Sequence, residues 1–214
     1  MTLEDKRVRA PRRDAAANRG ALLDAARAEL NRDPDASLDA VAAAAGLTRR
    51  ALYGHFPSRE ALIGELADLG AARVAAAVAR VRDDDPLLDV ALLGRLVWDE
   101  VEHVRAMTRA VVRSPLRDRI GPILGPIHQR IVADVTRAAA DGRARGDLDP
   151  ELVARLVEGA AFTVLDESTR LPVGREEGRR LVVLAGLGAL GLGWREADAF
   201  TARHAARLGL ADAR

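Results

Sequence analysis

The feature that most constrains this chain is a short segment, residues 38–56, in which two amphipathic stretches flank a glycine. Gly46 can take the left-handed backbone conformation of a tight turn at no steric cost, and Ala42 is small enough to let two helices touch closely. Apolar residues around the turn are spaced to form a miniature core: Leu38, Val41, Ala45, Leu47, Leu52 and Phe56. The pattern predicts two short helices crossing at a steep angle, which is a helix-turn-helix.

A hydroxyl residue precedes each of these two helices. Ser37 stands before the first and Thr48 before the second, and such side chains accept hydrogen bonds from the free N–H groups at a helix start. We therefore expect both residues to be N-caps. The outer surface of the second helix is then polar and has the character of a recognition helix, with Arg49, Arg50, Tyr53 and His55.

The rest of the chain also has a helical pattern, because Ala, Leu, Arg and Glu are frequent and apolar residues recur three or four positions apart. We therefore expect an all-α fold: an N-terminal three-helix helix-turn-helix domain followed by a larger helical ligand-binding and dimerisation domain. The first five helices are expected over residues 18–30, 38–45, 48–56, 58–81 and 86–101. Of the later helices, one is expected to end at about residue 145, one to begin at residue 150 and one at residue 175. A weaker helical pattern covers residues 195–214. Pro115, Pro122 and Pro126 are expected to interrupt the helical structure between residues 101 and 145.

We place the domain boundary inside the long fourth helix. Residues 1–62 form the predicted DNA-binding domain, with an N-terminal arm at 1–17, and residues 63–214 form the predicted effector-binding and dimerisation domain. Net charge favours the same division, since residues 1–59 hold eleven Lys or Arg against eight Asp or Glu, whereas the remainder holds twenty-two against twenty-four. The basic excess lies at the N-terminus.

Composition excludes several classes of protein. The 214 residues contain no cysteine, so disulfide frameworks and thiolate metal sites are excluded and a reducing compartment is expected. No apolar run approaches the roughly 18 residues of a membrane span, and the charged N-terminus does not resemble a secretion signal. We expect a cytoplasmic protein with no membrane partner and no cofactor.

Residues 37–62 resemble the signature of the TetR family of bacterial transcription regulators, above all in the Tyr-x-His-Phe run at residues 53–56. The resemblance extends over about residues 18–66 and is only architectural beyond them. It implies an Ω-like all-α homodimer that binds palindromic double-stranded operator DNA. It also implies roles for single residues: Arg49 and Arg50 read base edges, while Thr48, Tyr53 and His55 contact phosphates.

Four further residues complete the predicted DNA-binding set. Ser37 and Arg59 flank the motif, and Arg59 stands where the family usually has Lys, so that a planar fork replaces a point charge at a phosphate contact. Arg12 and Arg13 precede the predicted first helix. Two interpretations of this pair remain open, a DNA-contacting arm and a solubilising tail.

Two patterns elsewhere suggest other chemistry but lack its context. Residues 186–191 match G-x-G-x-x-G, but too few residues follow for the rest of a dinucleotide-binding unit. Glu100 and His103 have the spacing of a helical metal-ligand pair, yet no second pair exists for a di-metal site. We predict no catalytic residue and no metal site, so the chain is not expected to be an enzyme.

The effector site is expected among helices four to eight, where aromatic and sulfur-containing residues alternate with polar ones. The predicted ligand-binding residues are Trp98, Glu102, His103, Met107, His128, Phe162 and Asp166. Dimerisation is expected through residues 150–171 and 175–194, although this apolar surface could instead pack inside one subunit. Its members are Leu152, Leu156, Val157, Ala160, Val164, Val182, Leu184, Leu187 and Leu190.

The sequence therefore predicts a sequence-specific transcription regulator, a homodimeric repressor released from its operator by an unidentified small molecule. Two alternatives remain open. One is an activator or a regulator controlled by a partner protein, and the other is a helical metal-binding enzyme. Specific binding to a palindromic duplex separates the first two classes from the third, and an effector that weakens this binding separates a ligand-released repressor from the alternatives.

Overall fold

The computed structural model describes the backbone of residues 3–210 and the side chains of residues 14–210. All regular secondary structure in this part of the chain is helical, which confirms the predicted all-α class. The helices are α1 (Leu3–Arg32), α2 (Leu38–Ala44), α3 (Arg49–His55), α4 (Arg59–Ala79), α5 (Pro86–Val101), α6 (Arg105–Val112), α7 (Leu116–Ala140), α8 (Pro150–Glu167), α9 (Arg175–Ala189), α10 (Trp194–Arg203) and α11 (Ala205–Leu208). Of the helices so described, none is long and apolar enough to cross a membrane.

Local sequence signals set many of these helix starts. Pro86 and Pro150 begin α5 and α8 as predicted, because a proline loses no hydrogen bond in the first turn of a helix. The preceding aspartates supply the caps. An Asp85 Oδ1 oxygen accepts from the backbone N–H of Leu87 at 2.9 Å, and an Asp149 oxygen accepts from that of Glu151 at 2.8 Å.

Two predicted boundaries are wrong. Helix α1 begins at Leu3 rather than near residue 18, because the Arg- and Ala-rich residues before Asn18 are good helix formers and contain no stop signal except Pro11. Pro122 and Pro126 lie inside α7 instead of interrupting the chain. Since Ile120 and Ile131 on either side of them are buried, the packing of α7 outweighs the local cost of the prolines.

The chain divides into two compact units. One contains the residues up to 69 together with 106–116, and the other contains residues 70–105 and 117–214. Helix α4 runs from the first into the second without a break. The apolar interior of the first unit is built from α1 to α4, with Leu22, Ala26, Leu30, Val41, Leu52, Phe56 and Leu62 buried.

The second unit packs α5 and α8 against α9. Its main core joins buried side chains of α5, α7, α8, α9 and α10, among them Leu88, Val135, Val153, Leu187 and Phe200. A smaller cluster nearby consists of Trp98, Leu165 and Val182, with Phe162 packed at its edge. There Gly178 is essential, because a Cβ at this position would lie 1.8 Å from the Trp98 ring.

Candidate nucleic-acid interface

The segment around Gly46 has the geometry of a helix-turn-helix. Gly46 has φ of 67°, in the left-handed region that favours glycine. The Leu47 N–H donates to the Ala42 carbonyl at 2.9 Å, and this bond closes the end of α2. The predicted turn is therefore present, and the second helix starts two residues after Leu47.

Both predicted N-caps are present. The Ser37 hydroxyl accepts from the Ala40 N–H at 3.2 Å, and the Thr48 hydroxyl accepts from the Ala51 N–H at 3.2 Å. These bonds satisfy donors that have no partner within the helix, so they fix where α2 and α3 begin. They also place the two hydroxyl groups at exposed helix N-termini, where backbone N–H groups favour an anion such as a phosphate.

The residues of the predicted miniature core are only partly buried. Val41, Leu52 and Phe56 are buried, while Leu38 and Leu47 are half-buried. The buried residues lie on the inner faces of α2 and α3. Since α3 uses this face for packing, its opposite face is free to carry polar side chains.

The outer face of α3 presents Arg49, Arg50 and Tyr53 to solvent, with His55 half-buried. An Arg49 nitrogen donates to an Asp39 carboxylate oxygen at 3.1 Å, and its guanidinium carbon lies 5.4 Å from the Tyr53 ring centroid. The Tyr53 side chain, followed by the charge of Asp39, raises the pKa of Arg49 above its usual range. Arg50 forms no ion pair with any residue whose side chain is described.

The flanking candidates occupy different surroundings. Arg59 donates to the Pro34 carbonyl in the loop between α1 and α2, so it has a structural partner as well as the predicted phosphate role. Arg12 and Arg13 lie within α1, not before it as predicted. Their side chains are outside the described residues, so both interpretations of this pair stay predictions.

Arg19 is a structurally important residue that the sequence pattern does not predict. Its guanidinium pairs with Glu65 of α4, donates to the His55 carbonyl at the end of α3 at 3.2 Å, and lies over the Phe56 ring. This one side chain connects α1, α3 and α4 within the first unit. Nothing in the local sequence distinguishes Arg19 from the other arginines, because its three partners lie 36 or more positions away.

Three of the predicted ligand-binding residues lie in one region of the second unit. Trp98 is fully buried and its indole N–H donates to the Arg175 carbonyl at 3.0 Å. Glu102 accepts from the Arg175 guanidinium at 2.8 Å, and Phe162 packs at the edge of the Trp98 cluster. In this conformation the three residues pack against α9 and the segment before it.

The other four are dispersed. His128 lies between two carboxylates, with Glu151 at 2.8 Å and Glu158 at 2.9 Å. Asp166 is buried within 3.4 Å of Arg170. His103 is exposed, and Met107 belongs to the first compact unit.

One cavity among the described residues lies elsewhere. It has a volume of about 290 Å³ and is lined by residues of α9, α10 and α11 and the chain after them: Glu176, Glu177, Arg180, Asp198, Thr201, Ala202, Ala205 and Leu210. It includes none of the predicted ligand-binding residues. Glu100, which has the spacing of a metal-ligand pair with His103, forms an ion pair with Arg73 at 3.3 Å.

Comparison with known proteins extends these observations. Residues 22–66, which contain the helix-turn-helix, match the model of the tetR family of bacterial regulatory proteins. A comparison with curated proteins gave no match. The matched family consists of bacterial regulatory proteins, in line with the expectation of a DNA-binding regulator.

Solved structures of the same fold cover most of the chain. FadR from Bacillus halodurans, a fatty acid degradation regulator, has a TM-score of 0.68 at 17% identity over 81% of this chain and 95% of its own. SmeT, the repressor of a Stenotrophomonas maltophilia multidrug efflux pump, has a TM-score of 0.62 at 22% identity over 80% of this chain and 89% of its own. A regulator from Shewanella sp. PV-4 has a TM-score of 0.63 at 19% identity over 81% of this chain and 96% of its own. Residues 22–66 thus match the tetR family model, and the chain as a whole has the fold of these solved regulators.

Proposed function

We propose that the chain is a dimeric repressor that reads a palindromic operator with α3 of each subunit and leaves it when a small molecule binds. The observation that carries the proposal is the capped helix α3, which presents Arg49, Arg50 and Tyr53 to solvent. Arginine donates in bidentate fashion to guanine O6 and N7, so the two arginines are the proposed base readers. Thr48, Tyr53 and His55 are the proposed phosphate contacts, with Ser37 and Arg59 beside them.

Arg49 and Arg50 begin from different states in this proposal. Arg50 is exposed without an ion-pair partner among the described side chains, whereas Arg49 must exchange the Asp39 carboxylate for a base. Asp39 itself would face the same polyanion. We therefore propose that Asp39 disfavours nonspecific binding, because an unpaired carboxylate near phosphates is repelled, while a guanine in the correct position takes over Arg49.

Dimerisation is proposed through α8 and α9. Four residues of the predicted surface, Val157, Val182, Leu187 and Leu190, are buried within their own subunit, so the alternative of internal packing holds for them. The part that remains accessible is centred on Leu152 and Leu156, spaced one helical turn apart on α8. A two-fold pairing of this face would cover the exposed leucines and give each half-site its own α3.

The proposed effector is an apolar molecule, with a cationic or hydrogen-bonding group where Glu102 lies. SmeT has been solved as a triclosan complex and FadR from Bacillus subtilis in complex with stearoyl-CoA, and each of these ligands has a large apolar part. The proposed site includes Trp98, Glu102 and Phe162. Because these side chains pack against α9 in the present conformation, an effector there must favour a different packing of these helices.

Helix α4 is the proposed connection between effector and DNA. It begins at Arg59, four residues after α3 ends, and continues as one helix into the second unit. A displacement of its C-terminal part therefore moves its N-terminal part as well. Typical coupling between two such sites is about 1 to 3 kcal/mol, and operator DNA must weaken effector binding by the same factor.

The decisive experiment selects binding sites from a pool of random duplexes with the purified full-length chain. We expect a palindrome whose half-sites are about one helical turn apart or slightly more. Apolar and cationic compounds are then screened against the protein–operator complex for release of the DNA. If the selection enriches no palindrome, operator binding is refuted. If a specific complex forms but only a partner protein dissociates it, the partner-controlled alternative is favoured. A cytoplasmic location remains part of the prediction.

A further inference from the structure

A group of buried charges lies where the C-terminal end of α4 meets α5 and α7, inside the second unit. Arg130 of α7 donates through Nε to an Asp89 carboxylate oxygen at 2.7 Å. Its two terminal nitrogens donate to the carbonyls of Val78 and Val81, at 3.1 and 2.7 Å. Carbonyls at a helix C-terminus lack partners within the helix, so Arg130 caps the end of α4.

Asp89 supports this cap from α5. Its carboxylate is fully buried, accepts from Arg130, and also accepts from the Asp83 N–H at 2.7 Å. Asp83 lies in the segment that follows α4. The Asp89 side chain therefore fixes the same end of α4 twice, through Arg130 and directly through the backbone.

A second carboxyl group, Asp134 of α7, is buried beside the first. One of its oxygens accepts from Arg137 at 2.6 Å, while Oδ2 is buried without a hydrogen-bond partner among the described groups. Two ionised carboxylates cannot donate to each other, and neighbouring buried carboxylates favour sharing a proton. A proton on Asp134 would let Oδ2 donate to Asp89 and complete the set of bonds.

The electrostatic surroundings place the proton on Asp134. Burial, followed by the hydrogen bond and charge of Asp89, raises the pKa of Asp134 to about 6, although Arg137 opposes the shift. Burial also acts to raise the pKa of Asp89, but hydrogen bonds from Arg130, Asp134 and the Asp83 N–H outweigh burial and lower it. Asp89 thus stays ionised and holds Arg130.

We propose that Asp89 and Asp134 share one proton in mildly acidic solution, and that this proton determines how firmly Arg130 holds the C-terminal end of α4. When the proton leaves, two buried negative charges stand side by side, and Asp89 must move away from Asp134 or share Arg130 with it. Either response weakens the bonds to Val78, Val81 and Asp83. The hydrogen bonds that hold the C-terminal end of α4 therefore depend on this proton.

Other charged groups around the pair are largely matched. Arg143 pairs with Asp85 at 2.9 Å, Arg207 pairs with Asp83, and Arg137 donates to the Asp84 carbonyl at 3.1 Å as well as to Asp134. Of these, Arg137 alone bonds to the pair itself. The titrating group is thus Asp134, whose pKa is set by burial, Asp89 and Arg137.

The test uses NMR of the intact chain without DNA. Side-chain carboxyl carbons of aspartate are titrated from about pH 4 to about pH 8, and hydrogen exchange of the Asp83 amide is followed in parallel. We expect Asp134 to titrate near its raised pKa and the protection of the Asp83 amide to fall about tenfold across that transition. An Asp134 carboxyl group already ionised at about pH 5 would overturn the proposal.

Asp134→Asn separates the proton from the shape of the side chain, because the amide can donate to Asp89 at every pH. We expect this variant to keep the Asp83 amide protected throughout the range. His128→Gln, which removes a different titrating group of α7, should leave the step unchanged. A step that survives in Asp134→Asn, or disappears in His128→Gln, would refute the assignment. If Asp134→Asn does not fold, the carboxyl titration of the unmodified chain decides. Since no DNA is present, failure here leaves the proposed function intact.

Discussion

The guanidinium carbon of Arg19 lies 4.5 Å from the centroid of the Phe56 ring. Phe56 is the buried residue that ends α3, and the same guanidinium donates to the neighbouring His55 carbonyl and pairs with Glu65. A side chain of α1 thus fixes the end of the proposed recognition helix. The orientation of α3 therefore depends on a side chain outside α3, which holds the His55 carbonyl and the Phe56 ring.

Replacing Arg19 should therefore destabilise the first unit. We expect Arg19→Ala to lower the free energy of unfolding by about 1 to 2 kcal/mol, the combined effect of a cation–π contact and a hydrogen bond. The ion pair adds little because both partners are partly exposed. Denaturant unfolding measures the loss. Arg19→Lys keeps the charge over the ring and should recover part of it, and a fully stable Arg19→Ala would disprove the role.

The Trp98–Gly178 contact gives a second prediction. Gly178→Ala places a methyl group 1.8 Å from the ring, and overpacking a closed core costs roughly 1 to 3 kcal/mol. We expect the upper end of this range, together with a changed tryptophan fluorescence spectrum. Thermal unfolding of the variant measures the cost.

Two variants provide controls for this contact. Gly70→Ala in α4 meets no atom within 4 Å and should be neutral or stabilising. Trp98→Phe in the Gly178→Ala background should restore part of the lost stability, because the smaller ring leaves room for the methyl group. Additive losses in the double variant would show that the two residues do not meet.

The parts of the fold that the sequence predicted are those that depend on neighbouring residues. The caps at Ser37 and Thr48, the turn at Gly46 and the proline starts of α5 and α8 each need a hydrogen bond or a φ angle within a few positions. Pro122 and Pro126 show the limit of such local reasoning, since their helix survives through the packing of residues far away in the chain.

Residues paired over long distances in the sequence could not be predicted. Arg130 and Asp89 are 41 positions apart, and Trp98 and Arg175 are 77 apart. Each partner, taken alone, has the pattern of an ordinary helical residue. The same limit explains why the predicted ligand-binding residues divide into separate groups, because the interpretation relied on residue type and lacked the contacts that bring side chains together.

The proposed dimer face can be tested at its exposed leucines. Leu156→Arg introduces a charge at a residue 43% exposed in the subunit, so the fold should persist while the dimer dissociates. Analytical ultracentrifugation measures the mass. Ala189→Arg is a less direct test, because Ala189 packs against the core of its own subunit.

Leu69→Arg is the matched control, since Leu69 is 50% exposed on α4, outside the proposed face. It should sediment like the unmodified chain. A Leu156→Arg variant that keeps the mass of the unmodified chain would remove α8 from the interface, and a shared loss in both variants would indicate general destabilisation instead.

Arginine variants of α3 test base reading. Arg50→Ala and Arg49→Ala should each weaken the selected operator by about 1 to 3 kcal/mol and relax the preference at one base pair. Tyr53→Phe and His55→Ala should weaken all duplexes alike, because phosphates carry no sequence information. Fluorescence anisotropy on operator and scrambled duplexes measures both effects. Unchanged preference in both arginine variants would show that other residues read the bases.

The last prediction concerns His128, which lies between Glu151 and Glu158. The hydrogen bond to Glu151, followed by that to Glu158 and the charges of both, raises the pKa of His128 above 6.5 despite partial burial. The folded chain therefore binds the proton more tightly than the unfolded chain. This contribution to stability is complete below about pH 6.5 and is lost as the pH rises through the raised value.

Denaturant unfolding at a fixed protein concentration should accordingly show stability falling with pH on the alkaline side of 6.5, the unperturbed pKa of the imidazole. His128→Gln should lack this slope, since the amide does not titrate. The contribution of Asp134 to stability is lost over a different pH range, from its unfolded pKa of 3.8 to about 6. The two groups can therefore be distinguished in one titration. Because His128 joins α7 to α8, a slope equally steep in His128→Gln would mean that the imidazole does not stabilise the contact between these helices through its charge.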